Sequence, residues 1–239
     1  MAAVIQKHVL HYVFDSLCGW CYAAAPLVDA VRGLDGLQIV LHSGGMMVGE
    51  YRQKIDIHWR DYVMPHDLRI AQLTGQPFGE AYFEGLLRDM GAVMDSEPPT
   101  TAILAAEELG GHGLDMLHAI QHAHYVDGRR ISDLQVLAEL AAGLSLDAEA
   151  FQRSFVQLSG ARTHEHFRAS RTLLQELHGQ GFPTLALESG EGQIARIDVG
   201  DWLGKPEAWR QHVLELMKSS GHIQTQGEAP MCDVNGCKV

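Results

Sequence analysis

The first third of the chain combines apolar runs of strand length with an apolar pattern of helical spacing. Residues 9–14 are mostly apolar, β-branched or aromatic, and the run is long enough for one strand. Apolar residues between positions 23 and 31 fit one helix. Leu37, Ile39 and Leu41 then recur at every second position as a second strand, which ends at Ser43-Gly44-Gly45. The chain is therefore predicted to open as a β-α-β unit.

The pattern changes at residue 49, and residues 49–160 carry several helical patterns and no convincing strand. Pro98 and Pro99 precede a helical pattern that Gly110-Gly111 closes, as expected for proline inside a helix start and glycine beyond a helix end. Ser132 and Gln135 have the spacing of a capping box, and Asp147 is expected to cap the helix that follows. This region is predicted to be all helical.

Strand patterns return after this region. Residues 161–177 favour a helix, residues 181–187 a strand, and residues 193–197 the second strand of a hairpin. Residues 206–217 form the last amphipathic pattern, and residues 221–239 are polar and contain glycine, which is typical of a mobile tail.

The order β-α-β, helices, β-β-α is the thioredoxin order with an insertion. We therefore predict an α/β protein with a thioredoxin-like fold and a large all-helical insertion. Residues 1–48 and 161–220 would form the thioredoxin-like domain, residues 49–160 the insertion, and residues 221–239 a flexible tail with a C-x4-C pair.

Composition narrows the class of partner. The 239 residues are 46% hydrophobic, which suffices for a full core, and 30 acidic against 18 basic residues give a formal charge of −12. This balance, without a Lys/Arg cluster, argues against nucleic acid or an anionic membrane as a partner. No apolar run approaches the roughly 20 residues of a spanning helix, and no signal pattern opens the chain. We therefore expect a cytoplasmic protein.

Cys18 and Cys21 lie where the first strand passes into the first helix. Unpaired backbone N–H groups at a helix start favour an anion, so we expect the pKa of Cys18 to fall from about 8.5 toward the range of about 3.5 to 7.5. One helical turn brings the two sulfurs within bonding range, so a mixed disulfide on Cys18 can be resolved by Cys21. Two buried inert thiols, or half of a zinc site, are the alternatives, but the strand-to-helix context favours redox chemistry.

Pro183 is the second candidate residue. A proline at a strand start cannot donate to the ladder, and a cis bond before it would turn the backbone of Phe182 toward the two thiols. Most X-Pro bonds are trans, but the neighbouring motif leads us to expect cis here.

Three segments together resemble the DsbA family of thiol-disulfide oxidoreductases, most closely its FrnE-like cytoplasmic branch. They are Asp15-Ser16-Leu17-Cys18-Gly19-Trp20-Cys21-Tyr22, Gly181-Phe182-Pro183-Thr184, and residues 124–133 with Val136-Leu137. The resemblance implies that Cys18 is the nucleophile, Cys21 the resolving thiol, and Pro183 a cis-proline beside which a substrate peptide pairs. It also implies that Trp20, Phe182 and Thr184 contact substrate.

Two positions depart from the family pattern. FrnE-like proteins usually carry proline where this chain has Gly19, and a small β-branched residue where it has Phe182. The reduction potential therefore does not carry over from the family.

The tail contains a second cysteine pair, Cys232 and Cys237, separated by a segment that includes Asn235-Gly236 and can close a tight turn. Taken alone, such a pair is as readily incidental as functional. The resemblance favours a secondary redox pair, because FrnE-like proteins carry a C-terminal C-x4-C. We expect this pair to exchange electrons with Cys18 and Cys21.

Histidine offers a weaker candidate. His118 and His122 are one helical turn apart with His124 nearby, and His164 and His166 form another group, so a metal pair is geometrically possible. Among 14 histidines such pairs arise by chance, and solvated helix faces are the favoured interpretation. We expect no metal site and no cofactor.

Residues beside the thiols have two possible roles each. Asp15 could act as a local acid or base, but a turn cap is favoured. Trp20 and Tyr22, with Met46-Met47, could form an apolar substrate surface, although core packing is at least as good an interpretation of the methionines.

We predict a cytoplasmic dithiol-disulfide oxidoreductase that acts on protein or small-molecule disulfides. A reducing compartment favours reductase or isomerase work over net oxidation, with an unidentified thiol as electron donor, for which glutathione is a candidate. One alternative is a glutathione-dependent transferase or isomerase of the kappa-class or hydroxychromene-carboxylate isomerase type, although those enzymes typically carry Ser at the position of Cys18. The other is a non-enzymatic zinc-holding or peptide-binding module.

Overall fold

The computed structural model describes residues 8–219, 230–233 and 236–238. Its main sheet has four strands in the order β2-β1-β5-β6. Strand β1 (His8–Phe14) runs parallel to β2 (Leu37–Ser43) and antiparallel to β5 (Thr184–Glu188), which pairs antiparallel with β6 (Ile194–Ile197). Helix α1 (Gly19–Val31) connects β1 and β2, as the sequence predicted.

Helices make up most of the region between β2 and β5. They are α2 (Ile57–Thr74), α3 (Glu97–Glu108), α4 (Gly113–Tyr125), α5 (Leu134–Gly143), α6 (Ala148–Leu158) and α7 (Ala161–Glu176). A π-helical turn (Ala81–Gly85) and 3-10 turns (Gly49–Tyr51 and Leu86–Arg88) lie among them. The 3-10 turn Gly200–Trp202 precedes the last helix, α8 (Pro206–Lys218), which packs on α1.

The region predicted to lack strands contains one short pair. Strands β3 (Gln53–Lys54) and β4 (Val93–Met94) pair antiparallel over two residues each. Two residues are too few to carry a period-two pattern, so the sequence gives no signal for them.

Two predicted helix caps had different outcomes. The side chain of Asp147 accepts a hydrogen bond from the backbone N–H of Ala150 at 2.8 Å and caps α6, which confirms that prediction. The capping box at Ser132 is wrong, because the Ser132 hydroxyl lies ahead of the N-cap position and donates to the carbonyl of Val93 at 3.2 Å. The Gln135 amide donates to Glu139 instead of reaching back to the helix start.

The core lies between the main sheet and the surrounding helices. Its largest fully buried side chains include Trp20 and Tyr12 near the cysteine motif, Trp209 on α8, and Tyr82 and Tyr125 from the helical region. Each large side chain removed from water contributes about 1.5 to 3 kcal/mol. The cysteine motif and the helical region therefore share one continuous apolar core.

The described part of the tail forms a hairpin of β7 (Met231–Asp233) and β8 (Gly236–Lys238). A disulfide joins Cys232 and Cys237 across it. The predicted mobile segment also includes residues 221–229, 234–235 and 239, which lie outside the described residues. Where the tail is described, it packs on the protein, because the backbone of Cys232 pairs with that of Phe182. Within the described ranges no helix is long and apolar enough to cross a membrane.

Candidate active site

The two thiols of the cysteine motif lie at the start of α1, as predicted. Cys18 is the N-cap residue in an extended conformation, and its carbonyl accepts hydrogen bonds from the backbone N–H groups of Cys21 at 3.0 Å and Tyr22 at 3.1 Å. Both cysteines are reduced and fully buried. The first turn of the helix therefore holds the two sulfurs beside each other.

The local environment favours the protonated form of Cys21. Burial raises the pKa of the Cys21 thiol well above its usual range, and the hydrogen bond with Cys18 and the charge of Cys18 raise it further. The backbone N–H of Asp15 donates to the Cys21 sulfur at 3.5 Å and acts in the opposite direction. Cys21 is consequently the thiol that keeps its proton at neutral pH.

Asp15 ties the cysteine motif to the helical region. Its carboxylate accepts hydrogen bonds from the backbone N–H of Leu17 at 3.0 Å, the backbone N–H of Met46 at 2.6 Å and the hydroxyl of Ser96 at 3.0 Å. Burial raises the pKa of Asp15, while these hydrogen bonds lower it. The carboxylate thus caps the turn before Cys18, as the sequence favoured, and also fixes two more distant segments.

The loop before β5 lies against Cys18. The Phe182–Pro183 peptide bond is cis, as expected, and the Cys18 thiol donates to the Phe182 carbonyl at 3.4 Å. Thr184 is buried, and its hydroxyl donates to the carbonyl of Gly181 at 2.8 Å, so this side chain closes the loop instead of facing outward. The topology therefore brings Cys18, Cys21 and Pro183 together from distant parts of the chain.

Trp20 and Tyr22 have more enclosed positions than a substrate surface would give them. Trp20 is fully buried and packs in the core behind the motif. Tyr22 stacks on Tyr125, with ring centroids 4.7 Å apart, and its hydroxyl donates to the carbonyl of Pro77 at 2.8 Å. These aromatic side chains stabilise α1 against the helical region.

The tail hairpin covers the cysteine motif. Cys232 accepts a hydrogen bond from the Phe182 N–H and donates one to the Phe182 carbonyl, both at 2.8 Å. A Cβ atom on Gly181 would lie 2.5 Å from the Cys232 carbonyl oxygen, so the close approach requires glycine there. On the other strand, the N–H of Cys237 donates to the Tyr62 hydroxyl of α2 at 2.5 Å.

A cavity separates the motif, α2 and the hairpin. Met46 and Met47 line it, and both are buried in the core, which confirms core packing; their role as a substrate surface stays a prediction. Leu17 and Gly19 line it from the motif, and Asp67 from α2.

Sequence reasoning missed Asp67. It is 5% exposed, burial raises its pKa to about 7, and the Tyr82 hydroxyl donates to it at 2.8 Å. Its helix carries Val63 and Ile70 on the same face, four residues before it and three after it. An acidic residue within an apolar stripe was the signal that could have identified it.

The histidines that the sequence singled out contact different partners and do not form a common site. His118 pairs with Asp29 at 3.5 Å, His122 with Asp127 at 3.3 Å, and His164 with Glu97 at 2.9 Å. His166 accepts from the backbone N–H of Ser43, and burial lowers the pKa of His124 to about 3. In the part of the chain that the structure describes, no three His, Cys, Asp or Glu residues are grouped so that they could hold a metal ion.

The same elements occur in a known protein family. The model of the DSBA-like thioredoxin domain matches residues 9–205. The chain belongs to this family. It therefore has the thioredoxin-like α/β fold with a helical insertion and is a thiol-disulfide oxidoreductase with a Cys18/Cys21 pair, which confirms the predictions of fold and reaction class.

Solved structures agree with this assignment. The cytosolic disulfide reductase DsbM from Pseudomonas aeruginosa is 52% identical, with a TM-score of 0.83 over 88% of this chain and 98% of that chain. A structure of the same reductase with GSH is 50% identical, with a TM-score of 0.82 over 88% of this chain and 100% of that chain. A candidate protein disulfide isomerase from Nitrosomonas europaea is 25% identical, with a TM-score of 0.73 over 90% and 100% of the respective chains. No curated protein gave a significant match.

Proposed function

We propose that this protein is a cytosolic disulfide reductase that takes its electrons from glutathione. One observation carries the proposal: the Cys18 thiol donates a hydrogen bond to the carbonyl of Phe182, and the protonated Cys21 thiol lies one helical turn away. Its similarity to DsbM, which is named a cytosolic disulfide reductase and has a structure with GSH, supports the direction, the compartment and the donor.

The proposed reaction begins with the Cys18 thiolate. It attacks one sulfur of a substrate disulfide, so that a bond forms between Cys18 and that sulfur while the other substrate sulfur leaves and takes up a proton. Cys21 then loses its proton and attacks the Cys18 sulfur. This step forms the Cys18–Cys21 disulfide and releases the second substrate thiol, so two electrons have passed from the protein to the substrate.

Glutathione would restore the reduced pair. The first glutathione thiolate attacks Cys18 and releases Cys21, which takes up a proton; the second attacks the glutathione sulfur of the mixed disulfide and releases Cys18. The products are one glutathione disulfide and the reduced protein. Cys21 is suited to take up a proton when the disulfide breaks, since its buried environment favours the protonated thiol.

The loop at Pro183 is the proposed site where a substrate backbone pairs. Cys232 now uses both main-chain hydrogen-bonding groups of Phe182, which is the contact that an extended peptide would make there. This placement supports the hypothesis that Cys232 and Cys237 form a secondary redox pair. Transfer of two electrons from Cys18 and Cys21 to the tail would break the tail disulfide and form the active-site one.

Reduction of insulin disulfides with glutathione as the only donor tests the main proposal. We expect turnover by the wild type and none by Cys18→Ser above the uncatalysed rate. Cys21→Ser should accumulate a mixed disulfide on Cys18, which intact mass detects. Turnover by Cys18→Ser equal to that of the wild type would overturn the proposal.

The relay has its own test. In Cys21→Ser/Cys237→Ser, mild oxidation with diamide should join Cys18 to Cys232, because the backbone of Cys232 lies beside the nucleophile. The matched control Cys21→Ser/Cys232→Ser should form less of the corresponding Cys18–Cys237 bond. Equal yields from the two variants, or no internal bond in either, would contradict the relay. Unchanged turnover and reoxidation in Cys232→Ser/Cys237→Ser would do the same.

A further inference from the structure

The glycine inside the cysteine motif makes room for an acidic side chain from another helix. A Cβ atom on Gly19 would lie 2.9 Å from the Oδ1 atom of Asp67 and 2.9 Å from the Cδ1 atom of Ile70. Gly19 is the first residue of α1 and directly follows Cys18. The carboxyl group of Asp67 therefore occupies the space that a side chain at position 19 would fill.

We propose that Asp67 is an electrostatic positioning residue for the Cys18/Cys21 pair: its ionised carboxyl group shifts the pair toward the disulfide and makes the protein a stronger reductant. The inference rests on the proposed function for its physiological meaning, because only a reductase benefits from such a shift. The physical effect itself concerns the two thiols alone.

The start of α1 favours a single negative charge. The backbone N–H groups at the start of α1 and its dipole stabilise one nearby negative charge, and when Cys18 ionises for attack that charge is its thiolate. Ionised Asp67 brings a second negative charge to Gly19, the first residue of this helix and the neighbour of Cys18. Two anions close together disfavour each other, so ionised Asp67 destabilises the thiolate and has a much smaller effect on the uncharged disulfide.

Destabilising the Cys18 thiolate changes the redox equilibrium between the protein and glutathione. Where Cys18 is ionised, the Cys18–Cys21 disulfide and two glutathione molecules give one Cys18 thiolate, one Cys21 thiol, one glutathione disulfide and one proton. Because the thiolate appears only on the product side, a neighbouring carboxylate shifts the equilibrium toward the protein disulfide. A protein whose disulfide is favoured gives up its electrons more readily.

The effect of Asp67 on the redox equilibrium depends on pH near neutrality, because it requires an ionised carboxyl group. Burial raises its pKa to about 7, and the hydrogen bond from Tyr82 limits the rise. Among the described residues that line the cavity there is no lysine or arginine to hold the carboxylate ionised at lower pH. The carboxyl group therefore changes charge in the pH range where the thiols react.

Other titratable groups face the same cavity from several elements. Tyr82 lies on the π-helical turn, His124 and Tyr125 on α4, His66 on the helix of Asp67, and Asp233 on the hairpin, with Tyr51 and Tyr62 at its edge. Burial raises the pKa of Tyr82 and of Tyr125 well above the neutral range and lowers that of His124 to about 3, so none of these three changes charge between pH 6 and 8.

The test is the equilibrium of the full-length protein with glutathione redox buffers at pH 6 and pH 8. Alkylation followed by peptide mass mapping separates the Cys18/Cys21 peptide from the tail peptide. At pH 8, Asp67→Asn should reduce the equilibrium constant for formation of the Cys18–Cys21 disulfide by about tenfold, which corresponds to about 1.4 kcal/mol. At pH 6, where Asp67 is mostly protonated in the wild type, the two proteins should agree within about twofold.

Two further variants separate this effect from a structural one. Tyr82→Phe keeps the carboxyl group and removes its hydrogen-bond donor, so its value at pH 8 should lie between those of the wild type and Asp67→Asn. Asp61→Asn, on the same helix with a side chain that is 67% exposed, should match the wild type at both values of pH.

Two results would overturn the proposal: a difference of less than twofold at pH 8, or a difference of the same size at pH 6 and pH 8. Insulin turnover remains a separate measurement. If the wild type fails to reduce insulin while the pH-dependent shift of Asp67→Asn is present, the proposed function fails and the role of Asp67 stands. If turnover is normal and the shift is absent, only the role of Asp67 fails.

Discussion

Cys232 and Phe182 exchange both of their main-chain hydrogen bonds, each at 2.8 Å, and this pairing attaches the tail disulfide to the loop that contacts the fully buried Cys18. The carbonyl of Phe182 accepts two hydrogen bonds, one from the Cys232 N–H and one from the Cys18 thiol. An external peptide that pairs with the same loop has to displace the hairpin first.

The pairing depends on the absence of a side chain at position 181. In Gly181→Ala the new methyl group would lie 2.5 Å from the Cys232 carbonyl oxygen, and we expect the hairpin to move away from the motif. Cys18 should then react several-fold faster with iodoacetamide, since docking no longer shields it. The measurement is the alkylation rate of the reduced protein at a fixed pH.

Gly143→Ala is the matched control for this prediction. Position 143 ends α5, and a Cβ atom there meets no neighbouring atom within 4 Å. Its alkylation rate should equal that of the wild type. Equal rates in Gly181→Ala and Gly143→Ala would mean that the hairpin does not protect Cys18.

Much of the fold was predictable from the chain because each strand and helix of the thioredoxin-like part carries its own local pattern. The strand before Cys18 and the helix after it carry different patterns, and the structure ends the strand at Phe14 and begins the helix at Gly19. Pro183 stood out locally as a proline at a strand start, but the cis bond was expected only because of the cysteine motif elsewhere in the chain.

The docking of the tail hairpin at the site was not predictable, because it leaves no local pattern in the sequence. The tail has little apolar content, and its docking uses main-chain groups of Cys232 and Phe182, which carry no sequence signature. Asp67 was missed because its importance comes from burial against Gly19, which depends on how α2 packs on α1. Contacts of this kind are properties of the assembled core.

The proposed resolving role of Cys21 predicts a specific trapped species. When Cys21→Ser is mixed with a disulfide substrate, attack by Cys18 can proceed but resolution cannot, so the mixed disulfide should persist. Mass spectrometry should locate the adduct on the peptide that contains Cys18. An adduct found instead on Cys232 or Cys237 would assign the first attack to the tail.

Asp67 also predicts how stability depends on pH. Its pKa is 3.8 in the unfolded reference state and about 7 in the folded protein. The folded state therefore binds the proton more tightly, and the stability that this protonation contributes is fully present below pH 3.8 and is lost as the pH rises to about 7. The shift corresponds to a ceiling of about 4 kcal/mol.

Asp67→Asn removes this dependence while the amide keeps an oxygen that can accept from Tyr82. Between pH 5 and pH 8, the free energy of unfolding of Asp67→Asn should therefore rise relative to that of the wild type. Urea denaturation at the two values of pH measures both proteins. A constant difference between them would show that the carboxyl group does not titrate in this window.

The hydrogen bond between the Tyr62 hydroxyl and strand β8 contributes to the docking of the hairpin on α2. The hydroxyl accepts the N–H of Cys237 at 2.5 Å, and loss of one such hydrogen bond typically costs about 1 kcal/mol. Tyr62→Phe should therefore increase the population of undocked hairpin about fivefold and speed hydrogen exchange of the Cys237 amide by the same factor. Tyr51→Phe offers a control, because Tyr51 lines the same cavity and is 49% exposed. If the two variants exchange this amide at the same rate, the Tyr62 hydroxyl does not hold the hairpin, and the contacts between Cys232 and Phe182 suffice to dock it.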